Sequence, residues 1–250
     1  MPGSKLILIP SDLGADDSVD WIGPHLRQSV APLRRFVVEH AREARQFLKK
    51  LGLPLQELQF EILDEHSKPQ DLDRIAAWLT ADADVGLLSE AGCPAIADPG
   101  AALVRRAHQL GVQVVPLVGP SSIVMALMAS GLNGQRFAFN GYLPQAAADR
   151  DARIRAFEER SRQFDQTEIF IEAPYRNDAL FAALLAKCRP DSVLSIASGL
   201  AGSDEEIASR TIGQWRRVAP PALHKRPTVF LLLAAGAGSA NRRGRAPGAK

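Results

Sequence analysis

Two cysteines, Cys93 and Cys188, stand far apart in the 250 residues, too few for a disulfide framework or a zinc pattern. No His, Cys or Asp cluster shows metal-ligand spacing, so no resident metal is expected. Aromatic residues make up only 6% of the chain. No basic stripe is interleaved with stacking rings, the usual mark of a single-strand-binding surface. No apolar run approaches the ~18 residues of a membrane span. The opening "MPGSKLILIPSD" reads as a first strand, because Asp12, Asp16 and Asp17 follow too soon for a secretory leader. Neither a G-x-G-x-x-G nor a Walker A pattern occurs, which removes the commonest dinucleotide and nucleoside triphosphate sites. A cytoplasmic globular protein is the expectation.

What is present is an average soluble composition, 46% hydrophobic and 23% charged. The net charge of +2 comes from the end of the chain, where "AGAGSANRRGRAPGAK" carries four basic residues and no acid. Without those residues the remainder is slightly acidic. The tail, 235–250, lacks periodicity and is expected to be disordered.

Short apolar runs alternate with helical patterns, the signature of βαβ units. Strands are expected near Leu6–Pro10, Arg35–Glu39, Gln59–Leu63, Val85–Leu88 and Val112–Leu117, with helices such as "AREARQFLKKL" and "ALVRRAHQL" between them. "SSIVMALMASGL" is apolar nearly all round and reads as a buried helix. From Asn133 the texture changes to a polar, charged stretch. The expected domains are therefore 1–132 and 133–234. The second half offers strands near Phe137–Asn140, Glu168–Glu172, Ser192–Ser198 and Thr228–Ala234, with helices over about 149–164 and 177–187. "GSDEEIASRTIGQW" reads as a turn region. This mixture implies a second sheet that is not purely parallel.

Four stretches end a predicted strand in residues suited to close backbone approach: "LIPSDLG", "LLSEAGCPAIADPG", "PLVGPSS" and "FIEAPYR". In open α/β sheets ligands bind outside the carboxyl ends of the strands, so four such ends describe a site where single turns would not. Within the second stretch, Asp98 and Pro99 are read as starting the next helix.

The order "LLSEAGCPAIADPG", "VVPLVGPSSIVMALMASGL", "RFAFNGYLP", "IFIEAPYR" resembles the motifs of the tetrapyrrole methylase superfamily, and most of all its branch that 2′-O-methylates small-subunit ribosomal RNA. The resemblance runs from about Leu6 to Ala234. It implies two α/β domains with an S-adenosyl-L-methionine cleft between them, a homodimer, and ribosomal RNA or the small ribosomal subunit as partner. By position, cofactor contacts would fall on Pro10, Gly92, Cys93, Ile96, Ser121, Ser122, Ile171, Glu172, Pro227 and Thr228. Cys93 stands where the branch commonly has threonine, and is read as lining rather than nucleophilic, since no histidine is near it in sequence.

The branch's Glu-Asp-Thr-Arg motif appears here as "EHAR" and its Glu-Ser-Pro-His-Arg as "EAPYR", while "IPSDLGADDS" departs from its first-strand motif. Methyl transfer from a sulfonium needs positioning and exclusion of water rather than a metal. A hydroxyl acceptor would be helped by a base or a cation, for which Glu39, His40 and Arg176 are the candidates. Structural alternatives stand beside these: Glu39 could pair with Arg42, and Arg176 could cap a helix or pair with Glu172. A tetrapyrrole or other small acceptor, and a non-catalytic cofactor-binding dimer, are the competing readings.

Overall fold

The computed structural model describes residues 3–13, 21–81 and 83–236. The basic tail lies outside these from residue 237 on, as does residues 14–20 of the first-strand loop. The chain divides into two compact units, Met1–Ser121 and Ser122–Lys250.

The first unit is a five-stranded parallel sheet in the order β3-β2-β4-β1-β5. Its strands are β1 (Lys5–Ile9), β2 (Arg35–Val38), β3 (Gln59–Ile62), β4 (Val85–Leu88) and β5 (Gln113–Pro116). The helices between them are α1 (Pro24–Val30), α2 (Ala41–Lys50), α3 (Pro69–Ala76) and α4 (Gly100–Gln109). A sheet covered on both faces buries every residue of its central strands, which is why "VGLL" of β4 shows no alternation of polar and apolar positions. Ile7, Ile9, Phe36 and Val38 pack with α1 and α2 through Leu26, Val30, Phe47 and Leu48. The intervening Leu6, Val37, Val85 and Leu87 pack on the opposite side with Ile75 of α3 and Leu103 and Ala107 of α4.

The second unit is a mixed sheet in the order β6-β7-β10-β8-β9. It comprises β6 (Phe137–Tyr142), β7 (Thr167–Ile171), β8 (Val193–Ser198), β9 (Glu206–Thr211) and β10 (Thr228–Leu233). Only β6 and β7 run parallel; the other pairs are antiparallel. Helices α6 (Ala147–Phe164), α7 (Asn177–Lys187) and α8 (Ile212–Trp215) close one core around Phe157, Phe170, Phe230 and Trp215. Phe170 stacks on both Phe157 and Phe230, with ring centres 6.0 Å apart in each pair.

Two expectations are corrected. The "turn region" contains β9, a polar edge strand whose six residues pair one for one with β8. An edge strand buries little, so its composition resembles a loop. Helix α5 (Ser122–Ser130), expected to be buried, packs against β8, β9 and β10 but leaves Val124 and Met128 48% and 78% exposed. Among the described residues no helix is long and apolar enough to cross a membrane.

Candidate functional site

In the first unit the loops after β1, β4 and β5 are tied into one rim by backbone hydrogen bonds and one thiol. Ser11 N–H donates to Gly92 O at 2.9 Å, and Gly92 N–H returns to Asp12 O at 3.2 Å. The Cys93 thiol donates to Pro120 O at 3.3 Å. Burial pushes that thiol's pKa up, which favours the protonated, hydrogen-bond-donating form.

The rim depends on two glycines. Gly92 has φ +72°, a conformation that costs other residues roughly 1–2 kcal/mol. At Gly119 an added Cβ would overlap the Pro10 ring, so the loops after β1 and β5 approach only because it is absent. Beyond Gly92, Ala95 and Ala97 also take positive φ, 67° and 62°. Such strain persists only where surroundings over-determine it. Here the Asp98 carboxylate does so, accepting Ala95 N–H at 2.7 Å and Gly100 N–H at 2.6 Å, the latter at the start of α4. Burial raises the Asp98 pKa against the opposing pull of these two donors. On this rim Ile96 is 50% exposed and Val118 89% exposed.

Glu39 and His40 leave β2 beside this rim. Since β2 pairs with β4 in the register Val38↔Leu88, the next positions bring His40 alongside Glu90. A carboxylate oxygen of Glu39, a ring nitrogen of His40 and a carboxylate oxygen of Glu90 thereby lie within 4.8 Å of one another. The fifty-residue offset hides this group from any search by sequence spacing. His40 Nδ1 lies 3.9 Å from Glu90 Oε2, and both side chains are more than half exposed. Glu39 is less exposed, and its pKa is raised, first by burial and then by the charges of Glu90 and Asp98, while the Glu90 N–H opposes this.

In the second unit the antiparallel register Ile171↔Val229 sets the end of β7 against the start of β10. Ile171 and Glu172 are thus neighbours of Pro227 and Thr228. Glu172 is buried; its Oε1 accepts Ala173 N–H at 2.7 Å and binds the Arg176 guanidinium through Nε at 3.0 Å and through Nη2. Arg176 is therefore held by a buried carboxylate, as one of its expected readings had it. Thr228 is buried, its hydroxyl donating to Arg226 O at 3.0 Å. A second clamp, with no counterpart in the expectations, joins β6, β7 and α6. Fully buried Glu168 binds Arg160 and accepts Asn140 Nδ2 at 2.8 Å and Gln166 Nε2 at 2.9 Å.

The expected residues thus fall in two groups. Pro10, Gly92, Cys93, Ile96 and Ser121, with Glu39 and His40, belong to the first unit. Ser122 opens α5 of the second unit, which also holds Ile171, Glu172, Arg176, Pro227 and Thr228. Sequence reading missed Glu90 and the Glu168 clamp, whereas Gly119 lies in the "PLVGPSS" stretch expected to allow close backbone approach. Neither of the two missed features carries a local signal, since both are made by strand register and packing.

No protein-family model matches the chain. A ribosomal RNA small subunit methyltransferase I of Pseudomonas aeruginosa is 34% identical over 176 residues, covering 70% of this chain and 59% of the relative. One of Bacillus subtilis is 29% identical over 209 residues, covering 84% of this chain and 68% of the relative. The chain spans between half and about two thirds of the length of the curated relatives it matches. Among solved structures, a diphthine synthase superposes with a TM-score of 0.65 at 15% identity, covering 92% of this chain and 90% of that one. A uroporphyrin-III C-methyltransferase from Thermus thermophilus, complexed with S-adenosyl homocysteine, gives 0.51 at 16%, covering 92% and 97%. At such identities the structures establish likeness of fold. Taken with the ordered strand-end motifs, the parallel sheet followed by the mixed one shows that the chain has the two-unit α/β fold of the tetrapyrrole methylases.

Proposed function

We propose that the protein is an S-adenosylmethionine-dependent methyltransferase that modifies a ribose 2′-hydroxyl of small-subunit ribosomal RNA. The observation that carries this reading is the rim of the first unit. Three strand-end loops are locked together, glycine makes their close approach possible, and the β4 loop is held in a strained conformation. The rim suits a nucleoside cofactor, because it offers apolar Ile96 and Val118 to a bound surface and leaves no ionised thiol to compete for the methyl group.

When bound, the cofactor would supply an electrophilic methyl on a sulfonium. Pro10, Gly92, Cys93, Ile96 and Ser121 would hold it on this unit, with Ser122, Ile171, Glu172, Pro227 and Thr228 as the contacts on the second. Rigid loops lower the reorganisation needed to align donor and acceptor. Glu39, whose raised pKa brings it nearer the working range of a general base, would take the acceptor hydroxyl's proton. His40 would share that proton through its closeness to Glu39 and Glu90. Arg176, already bound to Glu172, would orient the acceptor rather than carry free charge.

The reading extends to a cytoplasmic homodimer, for which exposed Val124 and Met128 on α5 are the supporting surface. Light scattering after size exclusion reads the mass, with twice the chain mass of 27.0 kDa expected. The activity test is transfer of a labelled methyl group to small-subunit RNA or to subunits from a strain lacking the gene. Label in alkali-resistant dinucleotides is the expected result, since 2′-O-methylation blocks hydrolysis. Label confined to a small-molecule extract would overturn the RNA assignment.

A further inference from the structure

The second unit holds a pocket of about 730 Å3 at the carboxyl ends of β6 and β7, within the usual range for small-ligand sites. One wall is α6, which presents Arg153, Phe157 and Arg160 at i, i+4 and i+7, on one face. The lining also includes Tyr142, the last residue of β6, and Tyr175, which are 62% and 65% exposed.

The cations of this pocket are not equivalent. Arg160 is tied to buried Glu168 and to Asn140 Oδ1 at 2.5 Å, and Arg176 is tied to buried Glu172. Both charges are matched. Arg153 lies 5.9 Å from the centre of the Phe157 ring and, among the described residues, is paired with no carboxylate. Arg160 approaches the same ring at 5.1 Å, so Phe157 sets the spacing of a matched and an unmatched guanidinium. The pocket therefore offers one available fork for an oxyanion, two exposed aromatic faces, and the side-chain amide of Gln145 at its edge.

That set matches a single nucleotide. A guanidinium binds phosphate by paired hydrogen bonds, and an exposed tyrosine ring gives a base a surface to stack on. A tetrapyrrole, with several carboxylates around a wide apolar ring, would call for several unmatched cations and an apolar wall. We propose that this pocket takes one unstacked nucleotide of single-stranded RNA, its base against Tyr175 and Tyr142 and its phosphate on Arg153. The proposal rests on the RNA methyltransferase reading for its biological setting, but it concerns binding and needs no cofactor.

The test uses the full chain, a fluorescein-labelled single-stranded RNA of about 12 nucleotides, and anisotropy titrations over a series of salt concentrations. Arg153→Gln is expected to weaken binding about tenfold and to flatten the plot of log K against log salt by about 0.7, the loss of one phosphate contact on a single strand. Tyr175→Ala is expected to weaken binding about tenfold with the slope unchanged. Arg155→Gln, on the same helix but outside the pocket lining, should match the parent. Calorimetric binding of S-adenosylhomocysteine, compared between each variant and the parent, reports whether the fold is intact. Parental affinity and slope in both pocket variants would overturn the proposal. So would an Arg155→Gln loss equal to that of Arg153→Gln, or no RNA binding by the parent at low salt. Pocket-dependent RNA binding by a protein that ignores S-adenosylhomocysteine would instead strike the methyltransferase reading and leave the pocket assignment standing.

Discussion

The two units prepare their strand ends by different means. In the first, a fully parallel sheet ends in loops held by backbone hydrogen bonds, by missing side chains at Gly92 and Gly119, and by one carboxylate, Asp98, acting within its own loop. In the second, two buried carboxylates, Glu168 near the start of β7 and Glu172 just past its end, grip guanidinium groups. Backbone and small residues shape a surface against which a ligand can lie closely. Matched ion pairs fix the direction of charged side chains while leaving little net charge. A site residue must be judged by what already holds it: Arg176 is spoken for, while Arg153, among the described residues, is paired with no carboxylate.

The contrast can be broken at four points. The largest effect is expected from Glu168→Leu, which leaves Arg160, Asn140 and Gln166 without their shared acceptor. Removing one partner of a buried pair costs about 3–5 kcal/mol, and the partial exposure of Arg160 puts the expectation at the lower end, about 3 kcal/mol. Hydrogen exchange should localise the loss to β6, β7 and α6 and leave β1 and β4 protected as in the parent.

Gly119→Ala is next. The new methyl meets a proline ring that cannot rotate away, an overpacking that costs about 1–3 kcal/mol. Here urea unfolding should show the loss, and exchange should rise at the ends of β1 and β5 instead. Asp98→Ala removes the acceptor of two loop N–H groups, worth about 1–2 kcal/mol. Its affinity for S-adenosylhomocysteine should fall more than its stability, because the strained loop, rather than the core, is released.

The smallest effect is the pH dependence of Glu39→Gln. A carboxyl whose pKa is raised by folding opposes folding once it is ionised. That penalty is absent below its unfolded value, near 4.3, and complete above its raised folded value. Melting curves of variant and parent should therefore coincide at about pH 3 and separate toward neutrality, with the variant the more stable.

Much of the scaffold was legible from residue patterns. Parallel strands buried on both faces give unbroken apolar runs such as "VGLL", and helix α7 falls on the interval the pattern predicts, Asn177–Lys187. The edge strand β9 escaped because half-exposed pairing leaves a polar sequence, and α5 misled because an apolar helix can leave one side uncovered. The strand-end motifs were visible as turns, and their order made the superfamily recognisable. What no local pattern could carry were relations made by register: Glu90 beside His40 across fifty residues, and Glu168 gathering Arg160 and Asn140.

We propose that the rim of the first unit serves an S-adenosylmethionine-type cofactor. Titration of the full chain with S-adenosylhomocysteine in a calorimeter tests it most directly, with Gly92→Val as the comparison. Saturable binding at one site per chain is expected, with a rise in melting temperature as ligand binds the folded state, and at least tenfold weaker binding by Gly92→Val. No heat and no shift in melting temperature for the parent would contradict it.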